Sequence, residues 1–117
     1  VKIAEWRRQK KTKPSKYRSE RTVVNGITYD SKKEARHVET LALLARKGLI
    51  KDFVRQPRFK FDGLCYDSGR VIEYRADAAY SVDGILHVVD VKGVRTPAYK
   101  IKKALMLKWF GIKVEEV

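Results

Sequence analysis

The chain has 117 residues, enough for one hydrophobic core and too few for two. Its 27 Lys and Arg outnumber 14 Asp and Glu, and the net charge of +13 points to a polyanionic partner, either nucleic acid or an anionic membrane surface. No run of about 18 apolar residues is present, which excludes a spanning helix. The basic start leads into no apolar segment, so no secretory signal is expected, and the chain reads as cytoplasmic. A single cysteine, Cys65, excludes a disulfide framework and a cysteine-built zinc site.

Residues 1–21 carry nine of the 27 basic residues with little apolar periodicity and read as a basic arm, with Trp6 and Tyr17 its only aromatics. Residues 22–117 form the compact domain. Thr22 to Tyr29 spells a short hairpin around Asn25-Gly26, the pair that supplies both positive-φ positions of a type I′ turn. Ser31 followed by Glu34 is a capping box that opens a helix over 32–47, with Gly48 as its stop. Ala35, Val38, Leu41, Ala42 and Ala45 form its apolar stripe, with Glu34 on that stripe and Glu39 off it.

Phe53 to Phe61 reads as a strand in which Phe59 and Phe61 share a face and Pro57 marks an edge or a start. A loop over Gly63 to Gly69 follows, then a strand from Val71 to Val82. Asp83-Gly84 makes a tight turn into a strand from Ile85 to Lys92. Thr96 caps a second helix with Pro97 at its first position, Ile101, Leu105 and Trp109 on its buried side, and Gly111 at its end. Ile112 to Val117 closes the chain as a strand. The fold class is α/β, a mixed sheet flanked by helices.

The Asp83-Gly84 turn fixes a register in which opposed residue numbers sum to 167. Tyr80 then faces His87, Asp77 faces Asp90, and Arg75 faces Lys92. Opposed Cβ atoms lie about 4.5–5.5 Å apart, so two like-charged pairs in series are destabilising unless something sits between them. Such breaches of local consistency mark functional positions. Two carboxylates with a backbone carbonyl, for which Val91 is the candidate, are a donor set for magnesium. Lys92 stands beside them, able to orient a water and neutralise a phosphate oxygen. Glu34, on the buried stripe of the first helix, is a third candidate ligand, although the capping box competes for the same side chain. His37, His87 and Cys65 receive no role, and Glu73, which shares the face of Asp77, is read as a partner of Arg70 or Arg75 in preference to a further metal-side acid.

Glu34, Asp77 and Asp90-Val91-Lys92, in that order, resemble the PD-(D/E)XK (restriction-endonuclease-like) nuclease superfamily. Ser31-Lys-Lys-Glu34-Ala, Gln56-Pro-x-Phe59, Tyr74-x-Ala-Asp77, Val89-Asp-Val-Lys-Gly93 and Thr96-x-x-Tyr99 followed by Lys102 are similar to small phage-encoded, uncharacterised members. The likeness extends to Holliday-junction-resolvase-like enzymes. It spans about residues 20–112 and departs from the name in Ala76, where a proline would precede the first Asp. The resemblance implies hydrolysis of DNA phosphodiesters, branched DNA among them, with Mg2+ as cofactor and Mn2+ as substitute. Asp77, Asp90, Val91 and Glu34 would hold the metal, Lys92 would orient the attacking water, and Gln56 would line the site.

The basic residues complete this reading. Arg7, Arg8, Lys10, Lys11 and Lys13 of the arm, with Lys100, Lys102 and Lys103 of the second helix, are expected to neutralise DNA phosphates. No base-reading motif is visible, so shape and backbone are the expected targets. A homodimer is expected, since one small site reaches one strand. The competing readings are an inactive nucleic-acid-binding protein on the same fold and a basic assembly subunit that binds through its arm.

Overall fold

The computed structural model describes residues 21–91 and 94–117. In chain order these are β1 (Thr22–Val24), β2 (Ile27–Tyr29), α1 (Lys32–Arg46), β3 (Lys51–Arg55), β4 (Arg58–Cys65), β5 (Val71–Arg75), β6 (Ala78–Val82), β7 (Ile85–Asp90), α2 (Pro97–Phe110) and β8 (Glu115–Glu116). The chain divides into a unit that ends at Ala35 and a second unit, Arg36–Val117. The fold is mixed α/β, with two helices and three small sheets among the described residues. No helix there is long and apolar enough to cross a membrane.

Local chemistry explains most of the boundaries. The β1–β2 hairpin turns at Asn25 (φ 51) and Gly26 (φ 78), and β6–β7 turns at Asp83 (φ 52) and Gly84 (φ 77), the left-handed pairs that two-residue hairpins require. Helix α2 opens with the Thr96 hydroxyl accepting from the Tyr99 N–H at 3.2 Å and with Pro97 in the first turn. It closes at Gly111 (φ 69), whose N–H donates to the Leu107 carbonyl while the Ile112 N–H donates to that of Met106. Along α1, Ala35, Val38, Leu41 and Ala42 are buried and Ala45 is half-buried, as the stripe predicts. Glu39 does not point away from structure: it is half-buried and pairs with Arg55 at 3.2 Å.

The expected strand from Val71 to Val82 is two strands in two different sheets. It breaks at Ala76-Asp77, so that β5 pairs with β4 in a two-stranded ribbon while β6 joins a four-stranded sheet of order β3-β6-β7-β8. The expected strand from Phe53 to Phe61 breaks in the same way at Gln56-Pro57, between β3 and β4. Gln56 is left-handed (φ 50), which redirects the chain there. The ribbon also takes in the first three residues of the expected loop at Gly63 to Gly69, since β4 continues to Cys65. Within the sheet, β7 pairs antiparallel with β6 and parallel with β8.

The core gathers Phe61 and Tyr74 from the ribbon, Ala76, Ala79 and Val88 around β6 and β7, Tyr99 and Met106 from α2, and Val114. The buried side of α2 is therefore Tyr99 and Met106, seven residues apart. Ile101 is 62% exposed and Trp109 42%, contrary to the predicted stripe, and Leu105 packs only at the margin. The helix carries apolar residues on several sides, so periodicity alone does not choose its inward face. Phe61 also packs against the end of this helix, its ring centroid 5.9 Å from those of both Trp109 and Phe110.

Candidate active site

The β6–β7 register follows the predicted sum: Val82 pairs with Ile85, Tyr80 with His87 and Ala78 with Val89. At the next step the ladder changes. The Asp77 N–H donates to the Val89 carbonyl at 3.1 Å, and Asp77 Oδ2 accepts from the Val91 N–H at 2.7 Å. Asp77 thus grips β7 on either side of Asp90. The Asp77 carbonyl accepts from the Gln56 N–H at 3.0 Å, which ties the break before β6 to the break after β3. Gln56 accordingly lies beside Asp77 through its backbone.

Asp90 is only 1% exposed and accepts a hydrogen bond from the Tyr74 hydroxyl. A buried carboxylate needs such donors, because burial without them costs several kcal/mol. Burial, that hydrogen bond and the charge of Asp90 together drive the Tyr74 hydroxyl far above its ordinary pKa, and the charge of Asp77 acts in the same direction. Both acids therefore lie within electrostatic reach of one phenol. Every buried side-chain nitrogen and oxygen among the described residues has a hydrogen-bond partner.

The second expected like-charged pair, Arg75 with Lys92, involves a residue outside the described ones. Because β5 belongs to the ribbon, Arg75 faces Arg58 on β4. Glu73 faces Lys60 and reaches Arg58 at 3.7 Å, so its partner is neither Arg70 nor Arg75.

Four residues at or near the acids, Tyr74, Tyr99, Arg95 and Glu116, receive no role from the sequence. In the parallel pairing of β7 with β8, Asp90 is matched with Glu116. Glu116 accepts from the Tyr99 hydroxyl at 2.9 Å and pairs with Arg95 at 2.8 Å and Lys103 at 3.2 Å. The hydrogen bond from Arg95 is the main cause that holds the Glu116 carboxyl at about 2, with Tyr99 next. Burial, followed by the bond to Glu116 and the charge of Asp90, raises the Tyr99 hydroxyl. Tyr74 and Tyr99 already stood among the motif residues. Glu116 and Arg95 had no local signal, since a parallel strand pairing brings residues 26 apart in sequence together.

Glu34 belongs to the first unit, where it is 5% exposed. Its N–H donates to Ser31 Oγ at 3.0 Å and its Oε2 accepts from the Asp30 N–H at 3.3 Å, which is the capping role. Lys92 lies outside the described residues, as do Arg7, Arg8, Lys10, Lys11 and Lys13. The three lysines of α2 separate. Lys100 and Lys103 line a cleft of about 290 Å³ with Arg95 and Glu116, whereas Lys102 lines a different one against the ribbon. His87 stacks on Tyr80 and meets Glu115 at 2.8 Å.

The donors at the end of β7 are all oxygen: the carboxylates of Asp77 and Asp90 and the peptide carbonyls beside them. That chemistry fits magnesium, which is commonly held by one or two carboxylates and completes its shell with water and substrate phosphate. Among the described residues, no group of three or more His, Cys, Asp or Glu could hold a metal by itself.

No curated protein and no solved structure matches the chain. A family model does, over residues 14–117, a span that takes in Tyr74, Asp77, Asp90, Tyr99 and Glu116. The chain belongs to the family described as Protein of unknown function (DUF1064).

Proposed function

We propose that the protein is a magnesium-dependent DNA endonuclease of restriction-endonuclease-like fold, with its reaction centre at the end of β7. The observation that carries this reading is the strand break at Ala76-Asp77, which leaves Asp77 bonded on both sides of the buried Asp90. The Val91 N–H that Asp77 satisfies could be met by a neutral acceptor, and a second carboxylate beside a buried one adds charge that a sheet built only for stability does not need.

In this reading Asp77 and Asp90, with a carbonyl such as that of Val91, would hold Mg2+ or, in its place, Mn2+. The ion supplies charge neutralisation on the scissile phosphate and acidifies water. The Val91 N–H orients the Asp77 carboxylate and the Tyr74 hydroxyl orients that of Asp90. Their hydrogen bonds fix both side chains before substrate arrives, so little reorganisation accompanies the reaction. Lys92 would position the attacking water in line with the leaving 3′ oxygen, giving a 5′-phosphate and a 3′-hydroxyl. The net charge of +13 suits a DNA substrate. Branched or junction DNA, a homodimer that reaches both strands, a cytoplasmic setting and a phage or prophage origin complete the proposal.

The decisive experiment incubates the full chain with supercoiled, linear and four-way-junction DNA in magnesium and in manganese. Nicking is expected, and Asp90→Asn and Lys92→Ala are each expected to lower it on the order of a hundredfold or more. Failure to cut any of these substrates with either metal overturns the reading. One observation favours a second reading, a nucleic-acid-binding protein without catalysis: Asp90 is almost wholly buried and its carboxylate is already engaged by Tyr74. DNA binding that survives without cutting selects it.

A further inference from the structure

We infer that the β4–β5 ribbon carries a phosphate-binding cleft that grips the backbone of DNA; the choice of DNA rests on the endonuclease reading. Arg58 and Arg75 are directly opposed in the ribbon. Their Cβ atoms are therefore about 4.5–5.5 Å apart, an arrangement that disfavours two cations with nothing between them. Arg70 approaches from the turn that joins the strands and Lys102 from α2, and together with Tyr66 they line a cleft of about 410 Å³.

Glu73 is the single acid in this lining, against four cations, and it is engaged by Arg58 at 3.7 Å across from Lys60. No carboxylate pairs with Arg70, Arg75 or Lys102 among the described residues. The neighbouring basic cleft differs, because Glu116 already neutralises its Arg95 and Lys103. Guanidinium forks match a phosphate in shape as well as charge, and an anion between Arg58 and Arg75 removes their repulsion. The position also suits the proposed chemistry. Arg75 and Asp77 are two residues apart, so their Cα atoms cannot be more than about 7 Å from each other. A DNA strand seated on the arginines passes beside Asp77.

The test measures binding of the full chain to a short labelled DNA duplex in EDTA, across a salt series. Arg58→Gln with Arg75→Gln should weaken binding about tenfold and lower the slope of log affinity against log salt by about 1, the signature of one lost phosphate contact. Arg36→Gln with Lys47→Gln removes the same charge from exposed positions on α1 and just beyond its end, and should leave the slope unchanged. Should the double ribbon variant fail to fold, Arg70→Gln in the exposed turn must move affinity and slope in the same direction. Unchanged binding in the ribbon variants, equal losses in both double variants, or no binding by the parent chain overturns the inference. Binding that depends on the arginines without cutting in magnesium keeps the cleft and removes the endonuclease. Cutting by a ribbon variant of unaltered affinity does the reverse.

Discussion

Asp77 and Asp90 crowd like charge at the end of β7, and Arg58 and Arg75 crowd it on the ribbon, but the two places handle it differently. Asp90 is 1% exposed and held by Tyr74, and Asp77 is held by the Val91 N–H. The arginines are exposed; Arg58 reaches Glu73 at 3.7 Å, and Arg75 faces water without a carboxylate partner among the described residues. The contrast follows from dielectric. Inside the protein an unmatched charge is costly, so the fold surrounds it with donors before any ligand arrives. At the surface the penalty is small, and the charges remain available to a polyanion.

Four measurements break or sharpen this contrast. The largest stability effect is expected from Tyr74→Phe, which removes a hydrogen bond to a buried carboxylate and should cost about 1.5–3 kcal/mol in urea unfolding. No measurable loss would mean that Asp90 is not held in the way the contrast requires. Asp90→Asn keeps an acceptor for Tyr74 and should cost less than Tyr74→Phe, while lowering cleavage far more than stability. A larger loss of stability than of activity would make Asp90 a structural residue.

The next effect is one of pH. Hydrogen bonds from Arg95 and Tyr99 depress the Glu116 carboxyl from 4.5 to about 2 in the folded chain. A lowered folded pKa stabilises the fold fully above the unfolded value and ceases to do so as pH falls through the folded one. Thermal melts should therefore show a stability loss between pH 4.5 and about 2 that Glu116→Gln flattens. Identical acid profiles for the two chains would remove Glu116 from the account.

The smallest change is expected at the surface. Arg75→Gln relieves the opposition to Arg58 and should raise stability by about 0.2–1 kcal/mol while weakening DNA binding. A stability loss there would mean that the ribbon arginines support the fold rather than a ligand.

Much of the molecule was legible as local chemistry. Asn25-Gly26, Asp83-Gly84, the Ser31–Glu34 box, Thr96-Pro97 and Gly111 each dictate backbone conformation within a few residues. The β6–β7 register then followed from turn length alone. Asp77 and Asp90 came together for the same reason, with one shift: Asp77 pairs around Asp90 rather than squarely against it.

What only the tertiary structure decided depends on partners distant in sequence. Strand breaks at Gln56-Pro57 and Ala76-Asp77 divide the chain between ribbon and sheet, and no residue type there forbids a continuous strand outright. From that division comes the Arg58–Arg75 opposition; the parallel pairing of Asp90 with Glu116 and the turning inward of Tyr99 and Met106 in place of Ile101 and Trp109 are likewise tertiary outcomes. Short-range sterics and hydrogen bonding set each turn and cap by themselves. Strand partnership and helix rotation are settled by burial shared among segments far apart in the chain, which no local pattern records.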